Sequence, residues 1–179
     1  MSVMIRAMTP DEFRHFYQWS TAQQAAELME EHHISYEAAL QAATKEVDEM
    51  LPDGFHTKHN FLMTITEAPR GESAGFLWTL HEYTAGKKQS FLCDFAIWES
   101  KRRRGYGAAA LQLMEKQAID AGCQESVLFV SRSMSAAASV VVPMSSATAR
   151  LSGACCVFLV LCTMFSFEMS MEISSVTFA

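Results

Sequence analysis

The stretch from 90 to 114, SFLCDFAIWESKRRRGYGAAALQLM, constrains this chain more than any other. Its first nine residues are almost continuously apolar, with Asp94 the exception, which is the pattern of a strand buried on both faces. Four basic residues, Lys101 to Arg104, then run into Gly105-Tyr106-Gly107. The apolar periodicity of a helix follows. A helix N-terminus leaves backbone N–H groups unpaired and carries about half a positive charge. Glycines at that point let a pyrophosphate come close to the backbone. A lone Gly-x-Gly would read as a turn and the arginines as a solvated corner. Strand, basic run and helix in direct succession make this an anion-binding loop.

The positive charge is local. The 179 residues carry 14 Lys and Arg against 20 Asp and Glu, a net charge of −6. That balance opposes broad nucleic-acid binding, which needs a basic face, and suits a small anionic ligand at the loop. The length fits one domain, or one domain and a tail. The five cysteines, Cys93, Cys123, Cys155, Cys156 and Cys162, form no C-x-x-C pair, so neither a zinc site nor a disulfide framework is indicated. Reduced thiols in a cytoplasmic protein are expected. The start, MSVMIRAMTPDEFRHF, has no apolar segment after a basic one, and no secretory signal is expected.

Residues 2–8 suit a strand. Thr9-Pro10-Asp11-Glu12 is an N-cap, a first-turn proline and a capping box. Phe13, Phe16, Tyr17 and Ser20 follow at helical spacing, predicting a helix to about His33, with residue 20 the candidate place for a break. Ser35 caps a second helix with Tyr36, Ala39, Leu40, Ala43, Val47 and Met50 on one face, ended by LPDG at 51–54. Strands are predicted at 60–68, 75–83 and 90–98 as an antiparallel meander, then a helix over 108–121 with Gly122 beyond it. Residues 125–131 complete the series as a strand parallel to 90–98 through a right-handed crossover. The order β-α-α-β-β-β-α-β makes a mixed sheet with helices on its faces, an α/β (α+β mixed) class.

Arg102-x-x-Gly105-x-Gly107 matches the R/Q-x-x-G-x-G/A signature of the GCN5-related N-acetyltransferases. DFAIWES resembles their fourth strand, GAAALQLMEKQAIDAGCQESVLFV resembles the helix and fifth strand after it, and the upstream element order agrees. The resemblance covers residues 1 to about 131 and implies an acyl-CoA N-acyltransferase-like fold. It implies acetyl-CoA as donor substrate, with no metal. The backbone of Phe95, Ala96 and Ile97 would hold the pantetheine arm. The amides from Arg102 through Arg103, Arg104, Gly105, Tyr106 and Gly107 to Ala108 would hold the pyrophosphate. The acceptor would be an amine of a small molecule or protein, with no nucleic acid and no membrane involved and a homodimer as the candidate assembly. An acyl-CoA-binding protein without catalysis is the rival reading.

Asp94 is the candidate catalytic residue. A carboxylate in a buried strand is costly without a partner or a task, and it could orient the acceptor or take its proton through water. The competing reading is a core Asp bonded to backbone or arginine. His81 on the neighbouring strand is a weaker base candidate. His32, His33, His56 and His59 read as solvated, and Trp19, Trp78 and Trp98 as core or pocket wall.

Composition changes abruptly at about 131. Residues 1–130 hold 30 charged groups, whereas the last 49 hold only Arg132, Arg150, Glu168 and Glu172 and contain no Asn or Tyr. The family would continue with an Asn, an A-x-x-x-Y helix and a G-F turn, so the Tyr that commonly protonates the departing thiolate has no counterpart. Residues 1–131 therefore form the expected core, and 132–179 an atypical low-charge tail. Three readings of that tail compete: a divergent half whose SAAASVVV and CCVFLVLCTMFSF are core strands, a membrane anchor at 151–167, and the product of a shifted reading frame, disordered and aggregation-prone.

Overall fold

The computed structural model describes residues 2–68, 71–129 and 139–143. Chain order is β1 (Ser2–Ala7), α1 (Pro10–His32), α2 (Tyr36–Met50), β2 (Asn60–Ala68), β3 (Ser73–Thr84), β4 (Lys87–Ile97), α3 (Tyr106–Asp120), β5 (Glu125–Phe129) and β6 (Ser139–Pro143), with short 3-10 turns at Gly54–His56 and Glu99–Lys101. The strands make one six-stranded sheet in sequence order. All pairs are antiparallel except β4 and β5, which run parallel as the crossover through α3 requires.

The helices start where the sequence places their caps. Thr9 accepts from the Glu12 amide and Glu12 reaches back to the Thr9 amide, closing the capping box. α1 does not break near 20. Thr21 Oγ1 donates back to the Tyr17 carbonyl inside the turn, and the Ser20 hydroxyl donates to Asp94, so neither side chain caps or ends the helix there. His33 ends the helix in the left-handed region at φ 54°. α1 and α2 meet through Ala25, Ala39 and Ala43, whose small side chains allow close approach.

The two faces of the sheet carry separate cores. Phe16, Val47, Leu51, Leu62, Phe76, Trp78, Phe91 and Cys93 fill the α1–α2 side. Ile65, Leu77, Leu92, Phe95, Tyr106, Ala110 and Met114 fill the α3 side. The buried row of α3 is Tyr106, Ala110, Met114 and Ala118, one residue per turn. Ala109, Leu111 and Leu113 are half-buried beside it. Ala85 and Gly86, both at positive φ (51° and 81°), join β3 to β4 in the primed turn that matches strand twist.

Two irregularities matter for the site. In the β3–β4 ladder Trp78 pairs with Asp94 and Thr79 with Leu92, so Cys93 is an extra residue and β4 bulges beside Asp94. The β4–β5 ladder runs from Gln89↔Glu125 to Leu92↔Leu128. Phe95, Ala96 and Ile97 thus lie beyond the last described β5 pair.

Of the tail, residues 139–143 form β6, antiparallel to β5, with Pro143 at the strand end where its missing N–H is tolerated. Residues 130–138 and 144–179 lie outside the described residues, and with them the membrane-anchor reading of 151–167, the disorder expectation and the CCVFLVLC segment. No helix among the described residues is long and apolar enough to cross a membrane.

Candidate active site

The candidate anion-binding loop begins as the strand ends. β4 stops at Ile97, and Trp98 anchors the exit by donating its amide to the Ala74 carbonyl and its indole N–H to Ser73. The 3-10 turn follows, and within it the Arg102 amide bonds the Glu99 carbonyl. Arg103 and Gly105 both take positive φ, 60° and 79°, so the chain kinks twice before the helix. α3 starts at Tyr106, two residues earlier than predicted, because Gly105 serves as its N-cap. No side chain caps that end, and the Ala109 amide is the first to close an α-helical bond, to Gly105. The amides of Tyr106, Gly107 and Ala108 are therefore the helix's orphan donors.

The two glycines have different reasons. A Cβ on Gly105 would meet nothing within 4 Å, so its requirement is the left-handed backbone. A Cβ on Gly107 would lie 3.5 Å from Phe95 Cζ and 3.7 Å from Ile97 Cγ1, ordinary contact that accepts alanine but little more. Gly107 thus lets α3 approach the strand expected to carry pantetheine.

The basic residues divide their work. Lys101 is held by Glu72 at 3.0 Å and Glu67 at 3.1 Å, which push its ammonium pKa up. Arg102 donates Nε–H to the Ile97 carbonyl at 3.0 Å and braces the strand end. Arg103 and Arg104 are exposed. The Tyr106 side chain turns inward, 3% exposed, and donates its hydroxyl to Glu67, so only its backbone faces the loop.

Asp94 sits at the bulge, 2% exposed. Its Oδ2 accepts from Ser20 Oγ at 2.6 Å and its Oδ1 from the Phe95 amide at 2.7 Å. Burial pushes its carboxyl up to about 7; the Ser20 and Phe95 hydrogen bonds pull against that, and Glu27 adds to it. Glu27 is itself pushed up to about 7 by burial and by Glu30 and Glu31. Ser20, Gln24, Glu46, Trp78, Cys93 and Asp94 enclose a cleft with about 10 Å³ of room, the scale of one water molecule. Gln24 donates to Glu46, whose carboxyl is also raised by burial. On the same face a cavity of about 170 Å³ is walled by Phe16, Phe76 and Trp98, with Glu12, His15 and Thr64 among its polar lining.

His81 lies away from Asp94. It pairs with Ser90 and, by strand alternation from Trp78, faces the α3 side. His32, His33, His56 and His59 are exposed. Among the described residues no group of three or more His, Cys, Asp and Glu is placed to hold a metal. Sequence reasoning missed Gln24, Glu27, Glu46 and Glu67. Ser20 alone had a signal, as a polar residue at helical spacing behind Phe13, Phe16 and Tyr17.

Loop, strand edge and topology coincide with one family. The model of the acetyltransferase (GNAT) family matches residues 14–140. The chain belongs to the GNAT family. The match runs through Ser139 and Val140, so it reaches past residue 131 into β6. The uncharacterised N-acetyltransferase YycN of Bacillus subtilis is 26% identical over 130 residues, covering 73% of this chain and 83% of YycN. The crystal structure of YycN superposes with a TM-score of 0.64 at 25% identity, over 70% of this chain and 79% of that one. The PaiA N-acetyltransferase of Thermoplasma acidophilum, solved with coenzyme A, has a TM-score of 0.52 at 16% identity, over 75% and 83% of the two chains, and shows the shared fold. This GNAT protein is accordingly an N-acetyltransferase, an enzyme of acyl transfer.

Proposed function

We propose that the donor is acetyl-CoA and the acceptor an amine of a small molecule or protein. One observation carries the reading: the backbone of Phe95–Ile97, past the last described β5 pair, leads directly to an uncapped helix N-terminus with Gly105 in the left-handed region. That geometry supports a pantetheine arm pairing with the strand and a pyrophosphate on the amides from Arg103 to Ala108. Arg103 and Arg104 supply neutralising charge. The Arg102 amide already bonds Glu99, so the role of Arg102 is to fix the Ile97 carbonyl.

In the reaction the amine nitrogen bonds the thioester carbonyl carbon, the C–S bond breaks, and the thiolate departs with the electron pair. The amine must lose a proton. Asp94, with its pKa near 7, is the acceptor of that proton through water, and Ser20 and the Phe95 amide hold its carboxylate in place. The buried Cys93 and Cys123 thiols fit a reducing, cytoplasmic setting. A homodimer is proposed with it and is read by light scattering. Calorimetric titration with CoA, followed by acetyl-CoA turnover against a panel of amines, tests the assignment. Absence of CoA binding by the folded protein would overturn it.

A further inference from the structure

We propose that Glu67, at the end of β2, is a positioning residue for the donor. It fixes both ends of the loop that receives the pyrophosphate. The inference rests on reading that loop as the pyrophosphate cradle.

Lys101 and Tyr106 flank residues 102–105, and both bond the same atom, Glu67 Oε1. The Lys101 bond is 3.1 Å, and Glu72 Oε2 holds the same ammonium at 3.0 Å. The carboxylate is therefore a single peg under the last residue of the 3-10 turn and the first residue of α3. The peg itself is fixed. The Glu67 amide donates to the Glu72 carbonyl at 2.9 Å, and the Glu67 carbonyl accepts from Gly71 at 2.7 Å.

Surface ion pairs usually contribute little, and several here are of that kind. Arg14–Asp11 is 73% and 75% exposed and Lys116–Asp120 is 70% and 62% exposed, whereas Lys101–Glu67 is 18% and 19% exposed. The loop between the two anchors needs such a restraint. Arg103 and Gly105 take left-handed backbone there, and the helix end has no side-chain cap. Orphan amides hold a pyrophosphate well only when their directions are set before it arrives.

Charge and position predict opposite signs for one substitution. Glu67→Gln removes a negative charge beside a site for a polyanion, so Coulomb's law alone tightens CoA binding. Loss of the peg weakens it. Calorimetric titration of CoA against wild type, Glu67→Gln, Tyr106→Phe and the double variant reads the difference, with unfolding midpoints measured alongside. Glu67→Gln is expected to weaken binding by about fivefold or more, Tyr106→Phe by about threefold, and the pair by no more than about the larger single loss. In turnover with any accepted amine, the loss appears in the donor KM and not in kcat. Tyr106→Phe carries the test alone if Glu67→Gln does not fold. Unchanged or tighter CoA binding in the folded variants overturns the proposal. If Gly105→Val and Gly107→Val weaken binding while Glu67→Gln does not, the cradle stands and the peg falls. If the wild type binds no CoA, the cradle itself falls.

Discussion

Ser20 Oγ donates a 2.6 Å hydrogen bond to Asp94 Oδ2, joining the middle of α1 to the bulge of β4 across 74 residues of sequence. The bond lies where β4 carries its extra residue, Cys93, and it gives a fully buried carboxylate one of its two partners. It favours the charged form of a group that burial pushes up to about 7.

Turnover should therefore rise as pH increases through about 7, where Asp94 loses its proton. Asp94→Asn should lower kcat about a hundredfold and CoA affinity less than about twofold. Ser20→Ala should move the midpoint of the pH–rate profile upward. Equal turnover of the Asp and Asn enzymes would return Asp94 to a structural role.

Stability should respond to the same group with a definite sign. The folded pKa of about 7 lies above the unfolded value of about 3.9. The folded state thus holds the proton between those values, and the contribution present below about pH 4 is lost as pH rises to 7. Asp94→Asn should gain stability relative to wild type between pH 4 and pH 8, by a margin on the order of 1–4 kcal/mol. Urea denaturation at both pH values measures it, and a margin independent of pH would contradict the burial argument.

His81 should act in the opposite direction. Burial lowers its pKa, with Lys88 and His59 adding to the shift, and its Nδ1 has no partner among the described residues. Ser90 and Ser126, its lateral neighbours across β4 and β5, have equally unpartnered hydroxyls. The favourable contribution is full above the unfolded pKa of about 6.5 and is lost as pH falls below it. Between pH 7.5 and pH 5, His81→Phe should lose less melting temperature than wild type. A parallel decline in both proteins would show that His81 takes no part.

The glycines of the loop should fail differently. Gly105→Asn should be tolerated better than Gly105→Val, since Asn enters the left-handed region more readily. Gly107→Ala should bind CoA nearly as wild type, because its Cβ would make ordinary contact with Phe95. Valine at either position should weaken CoA binding by at least about tenfold. Unchanged affinity in both valine variants would remove the loop from the donor site.

Gly75 should tolerate nothing larger. A Cβ there would sit 2.0 Å from the Ala96 carbonyl oxygen, in the backbone of the strand proposed to carry pantetheine. Gly75→Ala should destabilise the protein by about 2–4 kcal/mol through a forced shift of β3 against β4. Near-wild-type stability in chemical denaturation would show that the two strands separate freely.

Local signals wrote much of this protein into its sequence. Thr9, Pro10 and Glu12 fixed where α1 begins, the apolar run at 90–97 fixed β4 as a buried strand, and Arg102 to Gly107 marked a helix start. Each works within a few residues, through caps, periodicity and backbone freedom, so a linear reading finds it. The start of α3 at Tyr106 was misplaced by two residues because Gly105 caps it without a side chain. Ser139–Pro143 could be read only as one of several possibilities for the tail, because its place beside β5 depends on a partner and not on its own pattern. Tertiary structure alone decided the rest. Ser20 meets Asp94 only when α1 packs on β4, and Glu67 meets Lys101 and Tyr106 only when the end of β2 lies beside the loop. Those bonds span tens of residues between side chains with no shared period, and only the packed sheet brings their atoms within hydrogen-bonding distance.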